Sequence, residues 1–172
     1  MTQQPPMALP PYHDVVHTQW VDYNGHMRDA FYMLVFSYAT DAVLDFIGLD
    51  AAARAARERS VYTLEAHLLY LRETRQGAQL RVDTRLIAYD AKRLHLYLEM
   101  FADPHSAPVA ASEQMLLHVD TRGPRSVAFD SDVNQRLEAL AAAAAVLPPP
   151  AHAGRVIGLT RNRQRSSADA PE

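Results

Sequence analysis

A chain of 172 residues, 48% hydrophobic and 22% charged, fits one domain around one core. Its formal net charge of −3 gives no electrostatic ground for nucleic-acid binding, and the lack of cysteine excludes disulfides, thiolate nucleophiles and zinc knuckles. Residues 1–11 carry four prolines, no basic residue and no apolar run, which reads as a flexible leader rather than a signal peptide. No later run approaches the ~18 apolar residues of a membrane span, so a cytoplasmic protein that binds neither membrane nor nucleic acid is expected.

Tyr12 to Val21 reads as a strand, with Val15, Val16 and Val21 as β-branched residues, and Gly25 breaks it. From about Arg28 to Ile47 the pattern is helical, and Gly48 stops it. Phe31, Leu34, Val35, Phe36, Ala39, Val43 and Leu44 cover more than one stripe, so this helix should be wrapped on several sides. Residues 51–59, rich in Ala and Arg, suit a short exposed helix. Four strand-like runs follow: Val61–Leu71, Gln79–Tyr89, Arg93–Phe101 and Val109–Thr121. In the second, Leu80, Val82, Thr84, Leu86 and Ala88 alternate with Arg81, Asp83 and Arg85; in the third, Leu94, Leu96, Leu98 and Met100 alternate with His95, Tyr97 and Glu99. Period-two alternation in consecutive runs predicts antiparallel strands with one buried face. Asp90-Ala91-Lys92 suits a tight hairpin, and Asp103-Pro104-His105-Ser106 a second turn. A last helix starts near Asp130 or Ser131 with one apolar stripe (Val133, Leu137, Leu140, Ala144), and Pro148-Pro149-Pro150 ends it. Residues 160–172, with Arg161, Arg163 and Arg165, read as a disordered tail.

This order predicts an α+β protein of hotdog architecture over residues 12–159. A curved antiparallel sheet wraps one long central helix, and a C-terminal helix lies on the surface. Such a sheet leaves one edge uncovered, so a homodimer or a dimer of dimers is expected.

The chemistry concentrates in Trp20-Val21-Asp22-Tyr23-Asn24-Gly25-His26-Met27-Arg28, directly before the buried helix. A helix N-terminus offers free N–H groups and a partial positive charge. A carboxylate beside it suits attack on a carbonyl whose oxygen becomes negative. Asp22 lies too far ahead of a helix starting at Arg28 to be a simple cap. Asn24 and His26 are candidate catalytic residues beside Asp22, suited to orienting it or to bonding the reacting carbonyl region, with Gly25 allowing the sharp turn between them. His13-Asp14-Val15-Val16-His17 echoes a helical metal motif, but its valines point to a strand.

Asp22-Tyr23-Asn24-Gly25-His26-Met27, followed by Phe31-Tyr32, resembles the 4-hydroxybenzoyl-CoA-type acyl-CoA thioesterases, over about Tyr12 to Thr121. The resemblance implies thioester hydrolysis with Asp22 as the catalytic carboxylate, either general base or nucleophile, and no cofactor beyond the coenzyme A of the substrate. It also implies that a backbone N–H near Arg28 or Asp29 holds the thioester oxygen. Val61-Tyr62-Thr63-Leu64-Glu65-Ala66-His67, Lys92-Arg93-Leu94-His95-Leu96, Glu113-Gln114-Met115-Leu116-Leu117-His118-Val119-Asp120 and Gly154-Arg155-Val156-Ile157-Gly158-Leu159 resemble the thioesterases of bacterial carnitine breakdown, which cleave betainyl-CoA. For such a cationic acyl group, Trp20, Tyr23, Tyr62 and Tyr32 would offer aromatic faces, and Glu65 and Glu113 counter-charge. Arg72 and Arg93, with Arg75 and Lys92, are candidates for the CoA phosphates. Aromatic or medium-chain acyl-CoA hydrolysis, hydration of an enoyl-CoA and non-catalytic acyl-CoA binding are the alternatives. Hotdog hydratases resemble this chain in pairing Asp with His, but space them by five with a proline between; Asp22 and His26 are four apart with Gly25 between.

Overall fold

The computed structural model describes residues 8–123 and 125–159; residues 1–7 of the leader and the 160–172 tail lie outside them. The elements run β1 (Tyr12–Val15), a 3-10 turn (Thr18–Trp20), α1 (Asp29–Phe46), α2 (Ala51–Arg57), β2 (Arg59–Tyr70), β3 (Gln79–Tyr89), β4 (Arg93–Ala102), β5 (Ala110–Asp120), β6 (Arg125–Ser126) and α3 (Ser131–Ala144). The strands form one antiparallel sheet in the order β1-β3-β4-β5-β2, with β6 pairing the end of β5. The helix α1 packs against β1, β3 and β5, as the hotdog architecture requires.

Burial of one face drives this assembly. Val35, Phe36, Ala39, Val43 and Leu44 of α1 meet Leu80, Val82, Leu94, Leu96, Leu98, Met100 and Leu116 of the sheet in one core. A polar link crosses that core: Thr40 Oγ1 lies 3.0 Å from Gln114 Oε1, and Gln114 Nε2 donates to Ser112 Oγ at 3.2 Å. It pins α1 to β5. The end of α1 is a Schellman motif. Gly48 N–H bonds the Asp45 carbonyl, Leu49 N–H bonds that of Leu44, and Gly48 takes φ +87°. Leu44 and Leu49 are both buried beneath it.

Several boundaries differ from the sequence reading, for physical reasons. The first strand stops at Val15 rather than Val21, because burying Trp20 turns the chain into a 3-10 turn. The leader is not free throughout: Leu9 packs on the core. Ala88 leaves the buried face, because a bulge between Leu86 and Ala88 resets the alternation and pairs it with His95. The helix α3 ends at Ala144, four residues before the prolines. The hairpin at Asp90 forms as expected, with Lys92 N–H and Arg93 N–H donating to Asp90 Oδ1.

Candidate active site

A short two-stranded ladder carries Asp22 to the mouth of α1. Arg28 N–H bonds the Trp20 carbonyl (2.9 Å), Val21 bridges Met27, and Asp22 N–H bonds the His26 carbonyl (2.8 Å). Gly25, at φ +78°, closes the turn. A second wall comes from the β2–β3 connection, where Met27 N–H bonds the Thr74 carbonyl (2.8 Å) and His26 bridges Arg75.

Asp22 holds its own turn with one oxygen. Asn24 N–H and His26 N–H both donate to Oδ1, at 2.8 and 3.1 Å. Oδ2 accepts no hydrogen bond among the described residues. Removal from water works to raise the Asp22 pKa, but the two N–H donors, the charge of His26 and the nearby Asn24 side chain outweigh it, and the carboxyl sits below its ordinary value. The group is ionised and half its acceptor capacity is open.

The α1 mouth is equally selective about which donors it leaves free. Arg28 N–H is taken by Trp20, Ala30 N–H by Asp29 Oδ1 (2.9 Å), and Phe31 N–H by the Arg28 carbonyl (3.1 Å). The N-cap residue Arg28 makes no side-chain cap. Asp29 N–H is left without a partner among the described residues, so of the two candidate donors only Asp29 is available. An anionic oxygen suits that position.

His26 is half-buried. Its Nε2 lies 3.2 Å from Glu73 Oε2, within ion-pair range but not aligned as a hydrogen bond. Tyr70 donates to the Asp29 carbonyl (3.2 Å) and stands edge-on to Tyr32, with ring centroids 5.4 Å apart. Tyr70, Glu73 and Thr74 therefore belong to this neighbourhood, and sequence reasoning missed them. They sit at a strand end and in a connection with no motif of their own; only the tertiary approach to the Asp22 turn reveals them.

Several expected ligand-binding residues are engaged elsewhere. Trp20 is buried, stacked on Phe31 at 5.5 Å and met edge-on by His17, so its ring serves the core. Tyr23 is 95% exposed at the turn tip, and Tyr62 is exposed on β2. Glu113 and Glu65 share the sheet's outer face, whereas Gln114 beside Glu113 faces α1. Within one chain they stand on the opposite side of the sheet from α1 and the Asp22 turn. Glu113 is also bound already, to His95 Nε2 (2.7 Å) and Gly154 N–H (2.6 Å). Arg93 is clamped on Asp90, at 2.6 Å from Nη2 and 2.8 Å from Nε, as part of the hairpin. Arg72 gives Nη1 to the Pro108 carbonyl, and Lys92 Nζ reaches Ser126. His13 to Val15 is strand, so the helical metal motif does not form.

A hotdog sheet with an acidic turn against the open mouth of its central helix defines a thioester hydrolase, the class to which comparison with known proteins also leads. Residues 16–137 match the Thioesterase-like superfamily, and the chain belongs to it. The betainyl-CoA thioesterase of Pseudomonas aeruginosa is 52% identical over 152 residues, which span 88% of this chain and 96% of that protein. The L-carnitine dehydrogenase/betainyl-CoA thioesterase of Agrobacterium fabrum is 45% identical over 88% of this chain, which matches 31% of that longer protein. A crystallised thioesterase candidate from Pseudomonas putida KT2440 superposes with a TM-score of 0.77 at 43% identity, over 91% of this chain and 98% of that one.

Proposed function

We propose that this chain hydrolyses betainyl-CoA to glycine betaine and free coenzyme A, acting in the cytoplasm as a homodimer, with water as its only co-reactant. The observation that carries the reading is the pairing of an ionised, half-open Asp22 carboxylate with the unpartnered Asp29 N–H at the α1 mouth. The thioester oxygen rests on that N–H and gains charge there as the carbonyl is attacked. Asp22 Oδ2 drives the attack, as base toward water or as nucleophile, and Asn24, Gly25 and His26 fix its orientation. The likeness to two proteins named for betainyl-CoA supports the acyl group.

The substrate's own geometry says where its cation must be met. In betainyl-CoA the quaternary nitrogen is two bonds from the thioester carbon, about 2.5 Å away by standard bond lengths. Its counter-charge therefore has to stand at the helix mouth itself. That mouth repels a cation, so local acids are needed. The Asp29 carboxylate, Glu73 and the half-exposed Tyr70 ring flank it. They replace Glu65 and Glu113 in this role.

The test is a neutral isostere. 3,3-Dimethylbutanoyl-CoA matches betainyl-CoA in shape but carries carbon in place of the charged nitrogen. Betainyl-CoA should be cleaved with a kcat/KM at least about tenfold higher, as about 1.4 kcal/mol of cation recognition gives. Equal values would remove the cationic substrate from the proposal while leaving the hydrolase intact.

A further inference from the structure

The chain after α3 crosses the outer face of the sheet, meeting its strands one after another. Arg85 on β3 donates from Nη1 to the Pro148 carbonyl at 2.5 Å. The His152 backbone lies beside the Tyr97 hydroxyl on β4. Gly154 N–H donates to Glu113 Oε2 on β5 at 2.6 Å. Arg155 then lines a cavity of about 280 Å³ that spans His95 of β4, Glu113 and Met115 of β5, and Glu65 and His67 of β2. In the sheet these strands stand in the order β3-β4-β5-β2, so the strap heads toward the β2 edge as it reaches Arg155.

An extended residue advances the chain by about 3.3 Å, and strands lie about 4.8 Å apart. Carried on in the same direction, Val156 to Leu159 would pass β2, beyond which the described residues hold no further strand. Their exposure agrees: Val156 is 88%, Ile157 89% and Leu159 98% exposed. These three bulky apolar side chains are left uncovered by the described residues of their own subunit. The edge itself is a 12-residue strand, unpaired on its far side, with Tyr62 and Leu64 exposed. A long open edge is a template for another chain. A second copy brings the same edge and the same arm, so one two-fold axis satisfies both at once.

We infer that Val156–Leu159 is an arm that docks onto the outer face of a second copy, over the patch formed there by Tyr62, Met115 and Leu117. These three share one face by strand register. Glu113, braced by His95, grips Gly154 and aims the arm, and Gly154 takes φ +70° at the point of departure.

The absence of cysteine makes the test direct. Ile157→Cys supplies one thiol for a benzophenone maleimide. Nitrogen-15-labelled and unlabelled copies are mixed, irradiated and digested. Cross-linked peptides joining one heavy and one light copy are the expected result; cross-links confined to like-labelled pairs overturn the inference. Independently, Val156→Asp with Ile157→Asp should weaken self-association by about tenfold or more in sedimentation. An unchanged dissociation constant overturns it. Neither readout uses hydrolysis, so the arm and the proposed reaction stand or fall separately.

Discussion

Asp22 divides its two oxygens between structure and chemistry. One caps the turn through Asn24 and His26 N–H, and the other is open. The Asp–Asn–Gly–His spacing made that turn legible, because a carboxylate followed by Asn and Gly closes on its own backbone. The proposed cation subsite was not legible. Tyr70 and Glu73 lie some fifty residues downstream in the chain, and nothing in their local sequence marks them. If they face the trimethylammonium, Glu73→Gln and Tyr70→Leu should each raise KM for betainyl-CoA about three- to tenfold, as exposed charge and cation–π contacts of ~1 kcal/mol imply. The same variants should leave KM for 3,3-dimethylbutanoyl-CoA within about twofold. Steady-state kinetics on both substrates checks this, and a parallel rise for both would mark a structural role.

At the scale of elements, strands and helices were readable because burial imposes their periods, whereas bulges, caps and links between elements depend on partners. The bulge that expels Ala88 from the core face leaves no sign in the sequence. Gly48 is the opposite case: a glycine after an apolar helix announces a left-handed end, and the structure gives it φ +87°. A Cβ there would come within 2.6 Å of Arg136 Nη1, which itself donates to the Phe46 carbonyl. Gly48→Ala should cost about 1–2 kcal/mol, read as a lower urea midpoint at unchanged slope. Thr40→Val should cost about 1–3 kcal/mol, because it leaves the buried Gln114 carbonyl without the Thr40 hydroxyl. Thr40→Ser should restore most of that loss, which a mere packing defect would not allow.

Across the whole molecule, one buried imidazole couples stability to pH. His118 is fully buried, shares Nδ1–H between the Val127 and Ala128 carbonyls, and stacks on Phe129 at 4.8 Å. Burial lowers its pKa from the ordinary 6.5, against the two carbonyls, which favour the proton. The unfolded chain thus binds this proton more readily than the folded one, so the His118 contribution is complete above pH 6.5 and is lost as pH falls below it. Melting temperature should drop as pH goes from about 7.5 to about 5.5, and His118→Gln should melt lower at the upper pH with a shallower slope. Equal slopes in both proteins would assign the dependence to other groups. The assembled state also lies at this scale: a long bare edge was foreseeable from the strand count, but the strap that crosses the sheet was not, because its contacts join Arg85 and Glu113 to Pro148 and Gly154, far along the chain.

The proposed hydrolysis requires the open oxygen of Asp22 to act on a thioester whose carbonyl is held by Asp29 N–H. Asp22→Asn tests it most directly, since the amide keeps an oxygen for Asn24 and His26 N–H but removes the charge. Free-thiol release from betainyl-CoA should fall by a factor of about 10²–10⁴ while melting temperature and circular dichroism stay near those of the parent protein. Turnover within about twofold of the parent, in an equally folded variant, would contradict the assignment of Asp22.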